Sequence, residues 1–197
     1  MKIDVLKNFN EPVFYVTNDV GKGIGLEKIL PNYHIVCLDD HPLVDILQKD
    51  GVSVFCLERE KGKRNVLSRS SGVVLSQKEV LSFIQKKSQG AKPNILFFKP
   101  QRRIELVAKK FGFRLLGNLS QTNQFFEDKI TFFQLCQQEK LPVPEGEIVD
   151  LDDASFKTLS KKYGEILVIQ FGRGWAGNST FFVAAEQQWR QLKKKYG

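Results

Sequence analysis

The stretch "HIVCLDDHPLVDILQKDGVSVFCLE", residues 34–58, contains two short apolar runs on either side of one helical pattern. The runs, at 34–39 and 52–58, are long enough for strands and show no polar alternation. Between them, Pro42 fits the first turn of a helix, an apolar stripe follows, and Gly51 is a stop signal. Continuous apolar strands separated by a helix predict a parallel sheet that is covered on both faces.

The same alternation continues on both sides of this stretch and predicts an α/β domain over residues 1–120. Residues 58–72 are the most loop-like segment within it. The further predicted strands are 13–17, 72–76, 94–99 and 113–118, and the further predicted helices are 77–88 and 101–111.

Beyond Asn118 the pattern changes, which predicts a second, small α+β domain over residues 121–197. A polar loop is followed by a predicted helix over 126–140, and Pro142 and Pro144 then favour extended backbone. Later elements are a strand at 147–149, a helix from about 156, a hairpin over 165–185 and a final helix.

Composition narrows the classes of protein. No apolar run approaches membrane-spanning length and no signal peptide is recognisable, so we expect a cytoplasmic protein without a membrane partner. Cys37, Cys56 and Cys136 lie among apolar neighbours, which favours reduced core thiols. With two histidines in the chain, a histidine-rich metal centre is excluded, and we predict no metal ligands in this chain.

The net charge of +8 has two interpretations. The basic residues come in short clusters on predicted helices, where a solvated helix face is the simpler explanation. Attraction to anions is the functional one, and a phosphate ligand is preferred because no aromatic-interleaved basic motif of a nucleic-acid binder is present.

The glycine cluster "GKGIG" at 21–25 is a partial match to a dinucleotide-binding fingerprint. Leu26 occupies the place of the last glycine, so turn geometry is the preferred explanation. A small anionic substrate near this turn stays open.

The stretch "VIQFGRGWAGNSTFFV", residues 168–183, predicts a hairpin whose nine-residue loop exceeds what a tight turn requires. Glycines let the backbone approach phosphates closely, and hydroxyl and guanidinium groups are suitable donors. A glycine-rich hairpin tip with a solvated arginine is the alternative. The candidate phosphate-binding residues of the loop are Gly172, Arg173, Gly174, Gly177, Ser179 and Thr180.

An Asp128-Lys129 pair at a helix start, the text "LPVPEG" and this glycine-rich loop follow one another in an order that resembles the ATP-grasp superfamily. The resemblance covers about 118–185 and implies a Rossmann-like domain before residue 120, followed by the first small subdomain of the ATP-grasp module. It also implies that Lys129 contacts the phosphates of ATP and that the loop folds over them. Gln170 stands where many members have a second lysine, so it adds a hydrogen-bonding group without charge.

The resemblance implies an ATP-dependent ligase that activates a carboxylate as an acyl phosphate for attack by an amine or similar nucleophile. The family's magnesium-binding acids belong to a later subdomain, so we expect ATP and magnesium as cofactors, with the magnesium ligands outside this chain. We therefore expect an N-terminal part of such an enzyme, inactive alone, whose partners are ATP, a small carboxylate and a C-terminal half. A homodimer is left open.

Two other classes of protein compete with the ligase. The first is a non-catalytic nucleotide- or partner-binding module, which Gln170 favours. The second, less favoured, is a basic nucleic-acid-binding protein, which would lose affinity steeply with added salt.

Overall fold

A computed structural model describes residues 4–62, 70–174 and 177–197. The chain divides into two compact units, Met1–Ser120 and Gln121–Gly197. Unit 1 and unit 2 below refer to these two ranges.

Unit 1 is built on a five-stranded parallel sheet, and this confirms the predicted α/β class. The strands are β1 (Val13–Val16), β2 (Tyr33–Cys37), β3 (Ser53–Cys56), β4 (Asn94–Phe97) and β5 (Arg114–Leu116). Their order in the sheet is β3-β2-β1-β4-β5, and the central strand β1 pairs with β2 on one side and β4 on the other. That order coincides with the first five positions of a doubly wound sheet.

Helices cover both faces of this sheet, which is why its strands are apolar on both sides. The helices of unit 1 are α1 (Asp4–Lys7), α2 (Pro42–Lys49), α3 (Leu57–Lys61), α4 (Ser71–Leu75), α5 (Lys78–Ser88) and α6 (Arg102–Phe111). One buried cluster joins Phe14 and Ile95 of the sheet to α4, α5 and α6. The other joins Tyr15 and Ile35 to α2 and the 3-10 turn Val20–Gly23.

Unit 2 contains a two-stranded antiparallel sheet with helices, as the α+β prediction requires. Its buried cluster includes Leu159, Leu167, Val183 and Trp189. The elements are α7 (Ser120–Glu127, which begins at the boundary), α8 (Lys129–Gln138), α9 (Phe156–Tyr163), β6 (Leu167–Gln170), β7 (Thr180–Val183) and α10 (Glu186–Tyr196).

Two predictions about residues 58–76 are wrong. The predicted strand at 72–76 is α4, since the Ser70 hydroxyl accepts the Val73 N–H and caps a short buried helix. The predicted loop at 58–72 overlaps α3 and the start of α4, while its central part, 63–69, lies outside the described residues.

Three predictions about unit 2 are also wrong. The polar segment before residue 126 is α7 and not a loop, and the predicted helix 126–140 is interrupted at Asp128, where α8 begins. The predicted strand at 147–149 has no strand structure. Without a neighbouring strand, extended backbone there has no ladder to join.

Other predictions concern burial. Cys37, Cys56 and Cys136 are buried free thiols, as predicted. Among the residues that the structure describes, no helix combines the length and apolar character needed to cross a bilayer. The cytoplasmic location stays a prediction.

His34 is an ionisable side chain inside the core of unit 1. It is 6% exposed, its ring stacks on Phe14 at a centroid distance of 4.8 Å, and its Nε2 lies 2.9 Å from Asn32 Oδ1. Burial, with a smaller contribution from the positive charge of Lys87, lowers the pKa of His34 from 6.5 to about 4. The imidazole is therefore neutral in the folded protein near neutral pH.

Replacing His34 with Phe is expected to reduce the loss of stability on mild acidification. Because the folded-state pKa is depressed, the unfolded chain binds more protons as the pH falls from 6.5 towards 4. The wild type should then lose at most about 2 kcal/mol of unfolding free energy from this group between pH 7 and pH 5. Native-state hydrogen exchange at the β2 amides measures it, and identical pH dependence in both proteins would remove His34 as the cause.

Candidate phosphate-binding site in unit 2

The start of α8 is bonded to the glycine-rich loop 171–179. Asp128 is the N-cap of α8, and its carboxylate accepts the Thr131 N–H at 3.0 Å. The N–H of Lys129, which has no partner within its own helix, donates to the carbonyl of Gly172 at 2.9 Å. The main chain thereby fixes the base of the Lys129 side chain beside the loop.

The Lys129 ammonium points into the same loop. Its Nζ lies 3.2 Å from Ser179 Oγ, 3.4 Å from the Gly174 carbonyl oxygen and 3.5 Å from the Phe171 carbonyl oxygen. All three distances are longer than about 2.7–2.9 Å, the range typical of charge-assisted hydrogen bonds. The ammonium therefore has three neutral acceptors that hold it loosely.

Arg173 contributes a second cation at the edge of the loop. Its side chain is 85% exposed, and its Nε lies 3.5 Å from Asp128 Oδ2. The Thr131 N–H chiefly, and Arg173 to a lesser degree, lower the pKa of Asp128, which is therefore ionised at neutral pH. Lys129 and Arg173 thus bring two positive charges to the loop, and only Arg173 lies within ion-pair distance of Asp128 among the contacts described.

Close packing or backbone conformation explains three glycines of the loop. A Cβ at Gly174 would overlap the Ser179 side chain, and Gly177 has a φ of +81°. A Cβ at Gly172 would lie 3.1 Å from Ile130 Cδ1, tighter than ordinary contact. Loop geometry alone therefore requires glycine, and the glycines by themselves do not identify a phosphate site.

At the base of the loop, the two strands present one outward face. Gln170 Nε2 donates to Thr180 Oγ1 at 3.3 Å, and these two residues are register partners. Next to them on the same face lie Val168 and Phe182, which are 55% and 70% exposed and are also paired. The face is polar where it meets the loop and apolar further along.

The structure groups the predicted residues by position. Lys129 is brought from α8 to Gly172, Gly174 and Ser179, whereas Gln170 and Thr180 bond to each other at the base. Trp175 and Ala176, quoted with the loop, lie outside the described residues.

The Asp128-Lys129 pair stands at a helix start, as the sequence predicted, with Asp128 as the N-cap of α8. The contact of Asp128 with Arg173 was not predicted.

The "GKGIG" turn of unit 1 has a structural explanation. Asp19 caps the 3-10 turn by accepting the Gly21 N–H, and a Cβ at Gly23 would lie 2.9 Å from Ile35 Cγ2. Glycine is thus required by packing against β2. Over residues 4–62, 70–174 and 177–197, no three His, Cys, Asp or Glu side chains form a group that could hold a metal ion.

A comparison of folds supports the class of architecture. The chain is similar to N5-carboxyaminoimidazole synthetase from Staphylococcus aureus, solved in complex with ADP, with a TM-score of 0.52 and 14% identity. The similarity covers 94% of this chain and 44% of that chain, so the chain spans less than half the length of this neighbour. At 14% identity this similarity shows a shared fold. No protein-family model and no curated protein matches the sequence.

Replacing Lys129 with Met is expected to loosen the loop while the helices of unit 2 stay intact. The substitution keeps the length of the side chain and removes its three hydrogen bonds to loop oxygens. The amides of Phe171 and Thr180 should exchange about fivefold faster, as the loss of about 1 kcal/mol predicts. Hydrogen-exchange mass spectrometry measures this.

Lys157→Met is the matched control, because Lys157 is exposed on α9 in the same unit. It should leave exchange in the loop unchanged. Equal exchange in the Lys129 variant and in the wild type would show that the ammonium does not order the loop.

Proposed function

We propose that this chain is the N-terminal part of an ATP-grasp ligase. In this proposal unit 1 is the Rossmann-like pre-ATP-grasp domain, and unit 2 is the first subdomain of the ATP-grasp module. The observation that carries it is the Lys129 ammonium, directed into a glycine-rich loop between paired strands. The fold similarity supports the architecture.

The groups around the loop fit the triphosphate of ATP. Lys129 supplies a point charge. Arg173 supplies an exposed guanidinium group whose N–H groups can bond to two phosphate oxygens. Ser179 and Thr180 add hydroxyl donors, and a glycine backbone places no Cβ in the way. Because the present contacts of the ammonium are long and neutral, an anionic oxygen would compete with them for its protons.

The outward face of β6 and β7 suits the base of the nucleotide. Val168 and Phe182 offer exposed apolar area on which a flat ring can pack. Gln170, at the polar end of this face, can both donate to and accept from a nucleotide. A base placed on this face would have its phosphates next to the loop, because Gln170 and Thr180 join the two regions.

The proposed reaction of the complete enzyme is activation of a carboxylate as an acyl phosphate, which an amine or similar nucleophile then attacks. MgATP supplies the phosphoryl group, and phosphate leaves more readily than hydroxide. In this chain Lys129, Gln170 and the loop would hold and orient the triphosphate, which contributes positioning and charge stabilisation. The magnesium ligands are proposed to lie outside this chain, so these residues alone would not catalyse ligation.

A second candidate is a non-catalytic nucleotide-binding module. Gln170 favours it, since an uncharged side chain bonded to Thr180 stands where a second cation would strengthen phosphate binding. The two candidates differ in turnover. If the chain is part of a ligase, ADP should form in the presence of the carboxylate once the later subdomain with the magnesium-binding acids is joined to it. A non-catalytic module should form no ADP under the same conditions.

Titration with MgATP, followed by NMR, is expected to shift the amide signals of Lys129 and of the loop residues around Gly172 and Gly177. NMR is chosen because half of a site binds weakly and the method detects millimolar affinity. Lys129→Met should weaken binding at least about tenfold, the value of a charge-assisted hydrogen bond to phosphate.

The control is again Lys157→Met, which should bind like the wild type. Shifts confined to residues away from the loop, or an unchanged affinity in the Lys129 variant, would contradict the proposed site. A response to inorganic triphosphate as strong as that to ATP would contradict the part of the proposal that places the base on Val168 and Phe182.

A further inference from the structure

The net charge of the chain belongs to unit 1. Unit 2 has ten Lys and Arg against ten Asp and Glu, whereas unit 1 has twenty against twelve. A nucleotide site in unit 2 therefore does not account for the +8 of the chain. The excess needs a separate explanation.

Within unit 1 the charge is concentrated in one segment. Residues 70–112 contain nine Lys and Arg, all exposed, against two acids, Glu79 and Glu105. Both acids are already engaged, Glu79 with Lys61 at 3.3 Å and Glu105 with Arg102 at 2.9 Å. Nine basic and two acidic side chains give the segment a formal net charge of +7.

The opposite face of the same sheet has the opposite sign. Residues 19–50, which include the 3-10 turn and α2, contain three Lys against six Asp and Glu. They pack on the cluster around Tyr15 and Ile35, whereas α4, α5 and α6 pack on the cluster around Phe14 and Ile95. Charged residues that serve only to keep a surface solvated can have both signs mixed on each face, so solvation alone does not explain why the two faces differ in sign.

A groove of about 420 Å³ runs along the positive face between α5 and α6. Lys78, Ser82 and Gln85 line it from α5, at successive turns of one helix face. From α6 come Lys110 and Phe111. The groove therefore combines two cations and two hydrogen-bonding side chains with an aromatic ring. The expectation that the chain has no basic motif interleaved with aromatic residues is wrong at Lys110 and Phe111.

The aromatic ring is accessible and held in place. Phe111 is 45% exposed, and its ring stacks on Phe113 at a centroid distance of 5.8 Å and an interplanar angle of 25°. The Lys110 ammonium lies 5.4 Å from the ring centroid. The ring is thus supported by a second ring and has a flexible cation over it, and a nucleobase can stack there when the lysine side chain turns to a backbone phosphate.

We propose that the α5–α6 face of unit 1 binds single-stranded nucleic acid. Its lysines and arginines would neutralise backbone phosphates, Phe111 would stack with a base, and Ser82 and Gln85 would contact base edges. A single strand is favoured over a duplex because a paired base has no face free for Phe111. A bilayer is disfavoured because the large apolar side chains of α5 and α6 that are exposed are only Leu106 and Phe111, too few for insertion.

Fluorescence anisotropy with labelled 20-nucleotide strands of uridine or thymidine tests this proposal. The wild type should bind, with affinity falling as salt rises. Lys78→Glu combined with Lys110→Glu should weaken binding at least about tenfold and lower the salt slope by about 1.4, from about 0.7 for each lost phosphate contact. Phe111→Ala should cost about tenfold for a strand and nothing for heparin, which has no bases.

The matched control is Lys161→Glu combined with Lys194→Glu, which makes the same change of charge at exposed positions of α9 and α10 in unit 2. It should bind like the wild type, and circular dichroism verifies that each variant is folded.

Three results would overturn the proposal. They are equal losses in both double variants, equal or tighter binding of a 20-base-pair duplex, and tighter binding to anionic phosphatidylserine vesicles or acidic peptides. Each is independent of the result with MgATP, because no residue is shared between the two sites.

Discussion

The candidate site depends on one main-chain hydrogen bond, from the Lys129 N–H to the Gly172 carbonyl. In an uninterrupted helix that N–H would donate four residues back within the helix. The break at Asp128 releases it and gives the Asp128 carboxylate the position of an N-cap. The same break therefore begins a helix, joins it to the loop and orients the lysine side chain.

The electrostatics of the site follow from this geometry. Asp128 is committed to the Thr131 N–H and lies near Arg173, so its charge is partly satisfied before any ligand arrives. The Lys129 ammonium, in contrast, faces neutral oxygens at distances of 3.2 Å or more. A loop held by such exchangeable contacts can release the ammonium to a better acceptor without unfolding α8. This is the property that a phosphate-covering loop needs.

Elements with a clear apolar pattern were predicted correctly from the sequence. The prediction failed where one capping residue or a residue distant in the chain determines the structure. The parallel sheet was predictable because β1, β2 and β4 are apolar on both faces. Residues 72–76 are similarly apolar, but they form a helix that begins at the Ser70 cap. The site was predictable as a set of residues along the chain, but the contact of Lys129 with the Gly174 carbonyl arises from tertiary structure that no local pattern encodes.

The net charge of the chain does not reveal how charge is distributed over the surface of unit 1. Summed over the chain, +8 indicates only a basic protein. The strand order β3-β2-β1-β4-β5 reverses direction at β1, so connections on the two sides of that strand place their helices on opposite faces of the sheet. Acidic residues before position 51 and basic residues after position 70 are thereby separated into two surfaces. The same strand order that gives the sheet a core on each face therefore also places the acidic segment of the chain on one face and the basic segment on the other.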